Sequence, residues 1–276
     1  VDQYISGIVS LVVRRFVQYP PKRDVTRTDL FKVVAASMYC NCAIALLAFE
    51  AHHSTSDMFQ AWFTSIVAWE EQTSPSGVKQ MSRTHFKKSH DKKLCALGLA
   101  SILKVPSDAL PQNVKGGLGH IISAIVTLLY DMGQVHQMKQ MQLLQQSNPA
   151  TEGAAKIVDV KDDEDEESGT GKGLDEVFAK LSQIEDGSKT YSELFGEEEE
   201  EEEYSSPIDP VDEVIFFADC VTSLQTSNGE LMEHATKNTM DETHRNMMIS
   251  FVNNAHQRMA QRQASASQAL ASHTSG

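Results

Sequence analysis

The side chains that could do chemistry in this chain are few, and their surroundings argue against most of it. His85 and His90 stand five apart, a spacing two metal ligands can use, but Lys87, Lys88, Lys92 and Lys93 surround them. Ammonium groups repel a divalent cation, so no metal site is expected there. Cys40 and Cys42 fall in a helical pattern, where positions i and i+2 face apart and cannot form a tight chelate. Gly116, Gly117 and Gly119 have the composition of a phosphate-cradling loop, yet no strand pattern precedes them. The full phosphate-loop, dinucleotide and nucleophile-elbow spacings are absent from the chain. The glycines read instead as a loose helix start. Trp62 and Trp69, seven apart on an apolar face, read as core packing rather than a groove. The stretch of cations between positions 79 and 93 is interrupted by Asp91 and holds only Phe86 as an aromatic, so it reads as a solvated loop rather than a nucleic-acid surface. No catalytic, cofactor or metal site is expected. The chain reads as a binding protein and not as an enzyme.

What remains is charge. Residues 150–213 hold 23 acidic and 5 basic side chains, a net of −18, while the rest of the 276-residue chain is at +4 and the whole at −14. The density peaks in two blocks. One is Asp162, Asp163, Glu164, Asp165, Glu166 and Glu167; the other is Glu197, Glu198, Glu199, Glu200, Glu201, Glu202 and Glu203. Such a field attracts basic proteins and repels nucleic acid and anionic membranes. The blocks are therefore the candidate binding site for a basic partner, ahead of a merely solubilising linker. Residues 149–206 are too polar to bury a core and are expected to be disordered, with short amphipathic islands at 174–181 and 191–195.

The elements on either side must do the positioning. Ile5, Ile8, Val9, Val12, Val13 and Phe16 repeat at helical spacing, and Pro20 and Pro21 end that helix. A second helix starts near Thr28, with Asn41 as a break; a third covers 58–71, a fourth 90–104 and a fifth 114–145. The fourth is apolar on nearly every side through Leu94, Leu97 and Leu99, so it should be buried by neighbours all round. Beyond the acidic stretch, Asp209 and Pro210 read as a cap and first turn, a short helix covers 231–236, and Thr239 reads as the cap of a last helix over 240–263. Every patterned segment has the 3.6 period. The expectation is an all-α fold of stacked helix pairs, a HEAT-type solenoid, with repeats over 1–148, the acidic insertion over 149–206, a helical segment over 207–264 and a flexible tail over 265–276. Cys40, Cys42, Cys95 and Cys220 lie in apolar helical patterns and read as buried free thiols of a reducing compartment. The longest apolar runs are interrupted short of a membrane span, so no membrane insertion is expected. The chain opens at Val1 within a helical pattern, which reads as the interior of a longer protein.

One phrase is more specific than any of this: Ser89-His90-Asp91-Lys92-Lys93-Leu94-Cys95-Ala96-Leu97-Gly98-Leu99. It resembles a segment near the end of the large nuclear import receptors of the importin-seven/eight type, which are karyopherin-β proteins built from HEAT repeats. Phe59-Gln60-Ala61-Trp62-Phe63 is similar to the helix that precedes that segment in the family. After the acidic insertion, Asp209-Pro210-Val211-Asp212-Glu213-Val214-Ile215-Phe216 resembles a second family phrase, and a closing helix carries a basic tail. The resemblance covers nearly the whole chain. It departs in a longer loop before His90 and in ending without the family's Phe-Gly motif. It implies a nuclear transport receptor that shuttles between nucleus and cytoplasm and needs no cofactor. Its acidic insertion would take basic cargo such as ribosomal proteins or histones, without direct nucleic-acid binding. The small GTPase Ran and nucleoporins would be engaged through the full-length receptor, and Ran would release the cargo. The rival reading is an acidic histone-chaperone-like protein, or a HEAT scaffold without transport.

Overall fold

The computed structural model describes residues 2–66, 84–146 and 206–274. Residues 1–146 and 210–276 form one compact unit and 147–209 a second. Among the described residues all regular structure is helical. The helices are α1 (Asp2–Gln18), α2 (Asp24–Ala51), α3 (Thr55–Ile66), α4 (Ser89–Ala100), α5 (Gln112–Gln146), α6 (Glu213–Ser227), α7 (Gly229–His234) and α8 (Glu242–Thr274). A 3-10 turn, Ser101–Lys104, extends α4, and a π turn, Ala235–Thr239, separates α7 from α8. The expected all-α, HEAT-like solenoid is what the chain forms.

The spacing in each helix decides which face it buries. In α1 the buried residues are Ile5, Val9, Val12 and Val13, one stripe of a 3.6-residue period. Helix α2 returns antiparallel to it after Pro20 and Pro21, and breaks at Asn41, whose φ of −156° and ψ of 92° are not helical. The Asn41 side-chain oxygen accepts from the Ile44 amide at 3.3 Å and so restarts the second half. Helices α2 and α4 then lie side by side and parallel: Asp24 meets His85, Lys32 meets Asp91, and Ala35 meets Gly98. Helices α3 and α5 repeat the arrangement, with Ser56 against Asn113. Parallel neighbours joined by antiparallel turns are what stacked helix pairs produce.

A run of rings ties the first layers together. Phe16 of α1 packs on Phe31 of α2, Phe31 stacks on Trp62 of α3 at 5.3 Å, and Phe59 continues the stack. Trp62 is a core residue, as its spacing suggested. Helix α4 is packed by α2, α5 and α6. Leu97 and Leu99 are fully buried, while Leu94 is only half-buried at the edge of the core. By length and composition α2 and the stretch Gln112–His136 could cross a membrane; here about half of each such window is buried in the fold.

Four local expectations need correction. Helix α6 begins at Glu213, not at Pro210: the cap is Asp212, whose carboxylate accepts from the amides of Val214 and Ile215. Asp209 belongs instead to a turn of the second unit, where it accepts from the Ser206 amide at 2.6 Å. Thr239 does not cap the last helix, because its hydroxyl donates to the Ala235 carbonyl inside the π turn. Asp241 takes the capping role two residues later, accepting from the His244 amide at 2.8 Å. Of the four thiols, Cys42, Cys95 and Cys220 are buried, but Cys40 is exposed across the Asn41 break. The last helix continues to Thr274, through the stretch read as a tail. The acidic blocks at 162–167 and 197–203, the islands at 174–181 and 191–195, and Trp69 lie outside the described residues.

Candidate functional site

The distinctive charged phrase lies in the first turn of α4, and each of three consecutive side chains reaches a different helix. Asp91 accepts from Lys32 of α2 at 3.2 Å. Lys92, only 5% exposed, sits 2.7 Å from Asp131 of α5. Lys93 lies 3.6 Å from Glu213 of α6. A helix turn projects successive residues about 100° apart, so three in a row can point at three neighbours only where the turn is surrounded. These lysines are therefore ties within the fold, not the solvated loop expected of them. Lys32 shows the same economy. Burial pulls its pKa down, but the carboxylates of Asp29 and Asp91 more than offset that and hold it above the usual lysine value. His90 and His85 join carboxylates rather than each other. His85 lies 3.3 Å from Asp24 and His90 3.8 Å from Asp91. Among the described residues no three His, Cys, Asp or Glu side chains gather as a metal-holding group.

The second phrase has its own centre. Asp212 caps α6 and also receives Arg258 at 3.3 Å and Arg262 at 2.7 Å from α8. One carboxylate, with a side chain 11% exposed, thus fixes the start of one helix and the flank of another. An aspartate two residues ahead of a helical apolar pattern was the signal for it. Asp209 carried a competing one, since Pro follows it and Pro favours a first turn.

Between α3, α5 and the start of α8 lies an open groove of about 610 Å³. Phe59, Phe63 and Ala124 supply its apolar lining, and His120, Ser123, Asp241 and His244 its polar lining. Sequence reasoning missed this site, because its lining comes from positions far apart in the chain. At its lip, His244 Nδ1 lies 2.6 Å from Asp241 and Nε2 3.3 Å from the Thr127 hydroxyl. Hydroxyl, imidazole and carboxylate stand here in the order of a nucleophilic relay. Thr127, however, already donates its hydroxyl hydrogen to the Ser123 carbonyl at 2.9 Å and is itself buried. Its oxygen lies against His244 Nε2, and the chain works as a clamp that holds α8 to α5. Partial burial would raise the pKa of Asp241, but hydrogen bonds from the backbone and ring of His244 outweigh that and hold it below the ordinary carboxylate range. An open groove of this kind suits a side chain of a protein partner; a small ligand needs most of its surface enclosed.

The buried thiols add no reactive group. Burial pushes Cys42 and Cys220 up to about 12, and Cys95 up as well, so all three stay protonated at neutral pH.

No family model matches the chain, and no solved structure matches it. Among curated proteins it is similar to the Importin beta-like SAD2 homolog of Arabidopsis thaliana, 26% identical over 250 residues. Those residues take in 87% of this chain and 23% of that protein, so the chain spans about a quarter of the length of the curated relative it matches. A likeness of that extent, together with a fold of stacked helix pairs, supports kinship with the importin-β family at that level and with no particular type inside it.

Proposed function

We propose that this chain is part of a nuclear transport receptor of the importin-β family, and that it binds basic cargo proteins without making or breaking bonds. The observation that carries the reading is the likeness to an importin beta-like protein along 87% of the chain. The helical solenoid supports it, because stacked helix pairs offer an extended rigid surface for a protein partner. The resemblance of the two phrases around Asp91 and Asp212 favours the importin-seven/eight type, with passage between cytoplasm and nucleus.

The acidic blocks at 162–167 and 197–203 are the proposed cargo contacts. They lie in a stretch, residues 150–213, with a net charge of −18 against +4 for the rest of the chain, a contrast that a tether does not need. Contacts of this kind raise the association rate and weaken with salt. Basic cargo of the histone or ribosomal-protein class fits them, and Ran in its GTP form, acting on the whole receptor, would release it.

The test is capture from cell extract by the full-length receptor, with and without Ran-GTP, followed by identification of what is bound. Basic proteins that bind at low salt and leave on adding Ran-GTP support the reading. Basic proteins held equally with and without Ran-GTP would make the chain an acidic chaperone instead.

A further inference from the structure

The acidic stretch of the sequence has a basic counterpart among the described residues. Where α1 ends and α2 and α4 begin, the described chain exposes Arg14, Arg15, Lys22, Arg23, Lys87 and Lys88. None of the six has a carboxylate partner among the described residues. The Asp24–His85 contact at 3.3 Å brings the two stretches together, because it joins the start of α2 to the segment just ahead of α4. The nearby carboxylates are already engaged: Asp24 with Arg27 and His85, Asp29 with Lys32.

Two of these cations do not stabilise the helices they sit on. Arg23 and Lys88 occupy the N-cap positions of α2 and α4, and neither helix receives a side-chain cap. Helix N-termini carry partial positive charge, so a cation there is unfavourable where Ser, Asp or Asn would help. Among the charges stand apolar side chains that the fold leaves outside: Val17 is 63% exposed, Tyr19 69% and Val25 66%. A phosphate backbone would use the cations and leave the aliphatic groups in water, and a single ring offers little stacking for bases. A peptide that mixes carboxylates with apolar side chains would use both.

We infer that this corner is a docking surface for an acidic, partly apolar peptide segment of a partner protein. It is a second binding face, distinct from the proposed cargo contacts, and it stands whether or not those are correct.

The test uses the whole chain and a labelled synthetic peptide of Asp and Glu interspersed with Leu and Phe, read by fluorescence anisotropy. Combined Lys22→Glu, Arg23→Glu, Lys87→Glu and Lys88→Glu should weaken binding by about tenfold or more at physiological salt. The same variant should melt no lower than the wild type, since carboxylates suit helix N-termini. Replacing Leu and Phe of the peptide by Ser should cost about fivefold or more. Oligothymidylate and phosphatidylserine vesicles are the comparison probes, and both should bind more weakly than the peptide. Absence of peptide binding, equal affinity for the quadruple variant, or indifference to the Ser peptide overturns the proposal. Tighter binding of either comparison probe overturns it too, in favour of a nucleic acid or a membrane.

Discussion

Gly98 and Gly119 sit where helices come closest. A Cβ added at Gly98 would stand 2.5 Å from the Ala35 carbonyl oxygen, and one at Gly119 would stand 2.5 Å from the Ala235 carbonyl oxygen. Both obstacles are backbone and cannot swing away. Gly98→Ala or Gly119→Ala should therefore cost about 1–3 kcal/mol and lower the melting temperature, whereas Gly117→Ala, with open space around it, should not. The glycine-rich stretch was legible as the start of a helix, but the partner of Gly119 was not, because it lies in the π turn beyond the acidic insertion. The same limit applied to Lys92. Its sequence neighbours are charged and suggest solvent, while its counter-ion is on another helix. Asp131→Ala leaves the Lys92 ammonium buried without a partner and should cost on the order of 3 kcal/mol. The double change Lys92→Met with Asp131→Leu should restore most of that stability in a denaturant melt. Thiol reactivity can be read at the same scale. A thiol reagent applied to the native chain should modify Cys40 quickly and leave Cys42, Cys95 and Cys220 untouched until the chain unfolds.

At the scale of elements, the apolar periodicity located the helices, and the capping residues decided their ends. Asn41 was readable as a break because Asn bonds its own backbone readily. The start of α6 was misplaced by three residues, since Asp209 and Asp212 offer the same side chain and only the tertiary position of Arg258 and Arg262 separates them. Asp212→Ala should cost about 1–2 kcal/mol through the lost cap. Arg258→Ala and Arg262→Ala should each cost less than about 1 kcal/mol, because both arginines are largely exposed. The clamp at the start of α8 has a pH dependence with a definite sign. Asp241 is held below its ordinary value, so its contribution is complete above about pH 4 and is lost as pH falls through the lower folded-state value. Helix α8 should loosen from α5 in that acid window, seen as loss of the His244 side-chain signals from their folded positions in an NMR titration. Asp241→Asn should remove that acid step.

For the whole molecule, the fold class was legible because nearly every apolar segment repeats at one period, which leaves no strand to place. The order in which helices pack was less legible, since no repeat recurs in the letters themselves. The proposed cargo contacts were read from charge density alone, and their test is correspondingly direct. Replacing both acidic blocks with Gln should leave the melting of the helical unit unchanged. It should also weaken binding to a histone and flatten the salt dependence of what binding remains. Unchanged affinity would move the cargo site onto the helices. The clamp between Thr127 and His244 joins residues 117 positions apart, and α6 likewise packs on α4 from beyond the acidic stretch. By contrast the contacts of α1, α2, α4 and α5 with one another all lie within the first 146 residues. Closing a long loop is slow compared with docking adjacent helices, so refolding should proceed in two stages. The first five helices assemble early, and α6 to α8 arrive late. Substitutions such as Asp212→Ala would then quicken unfolding and leave the refolding rate nearly unchanged, whereas Gly98→Ala would slow refolding itself.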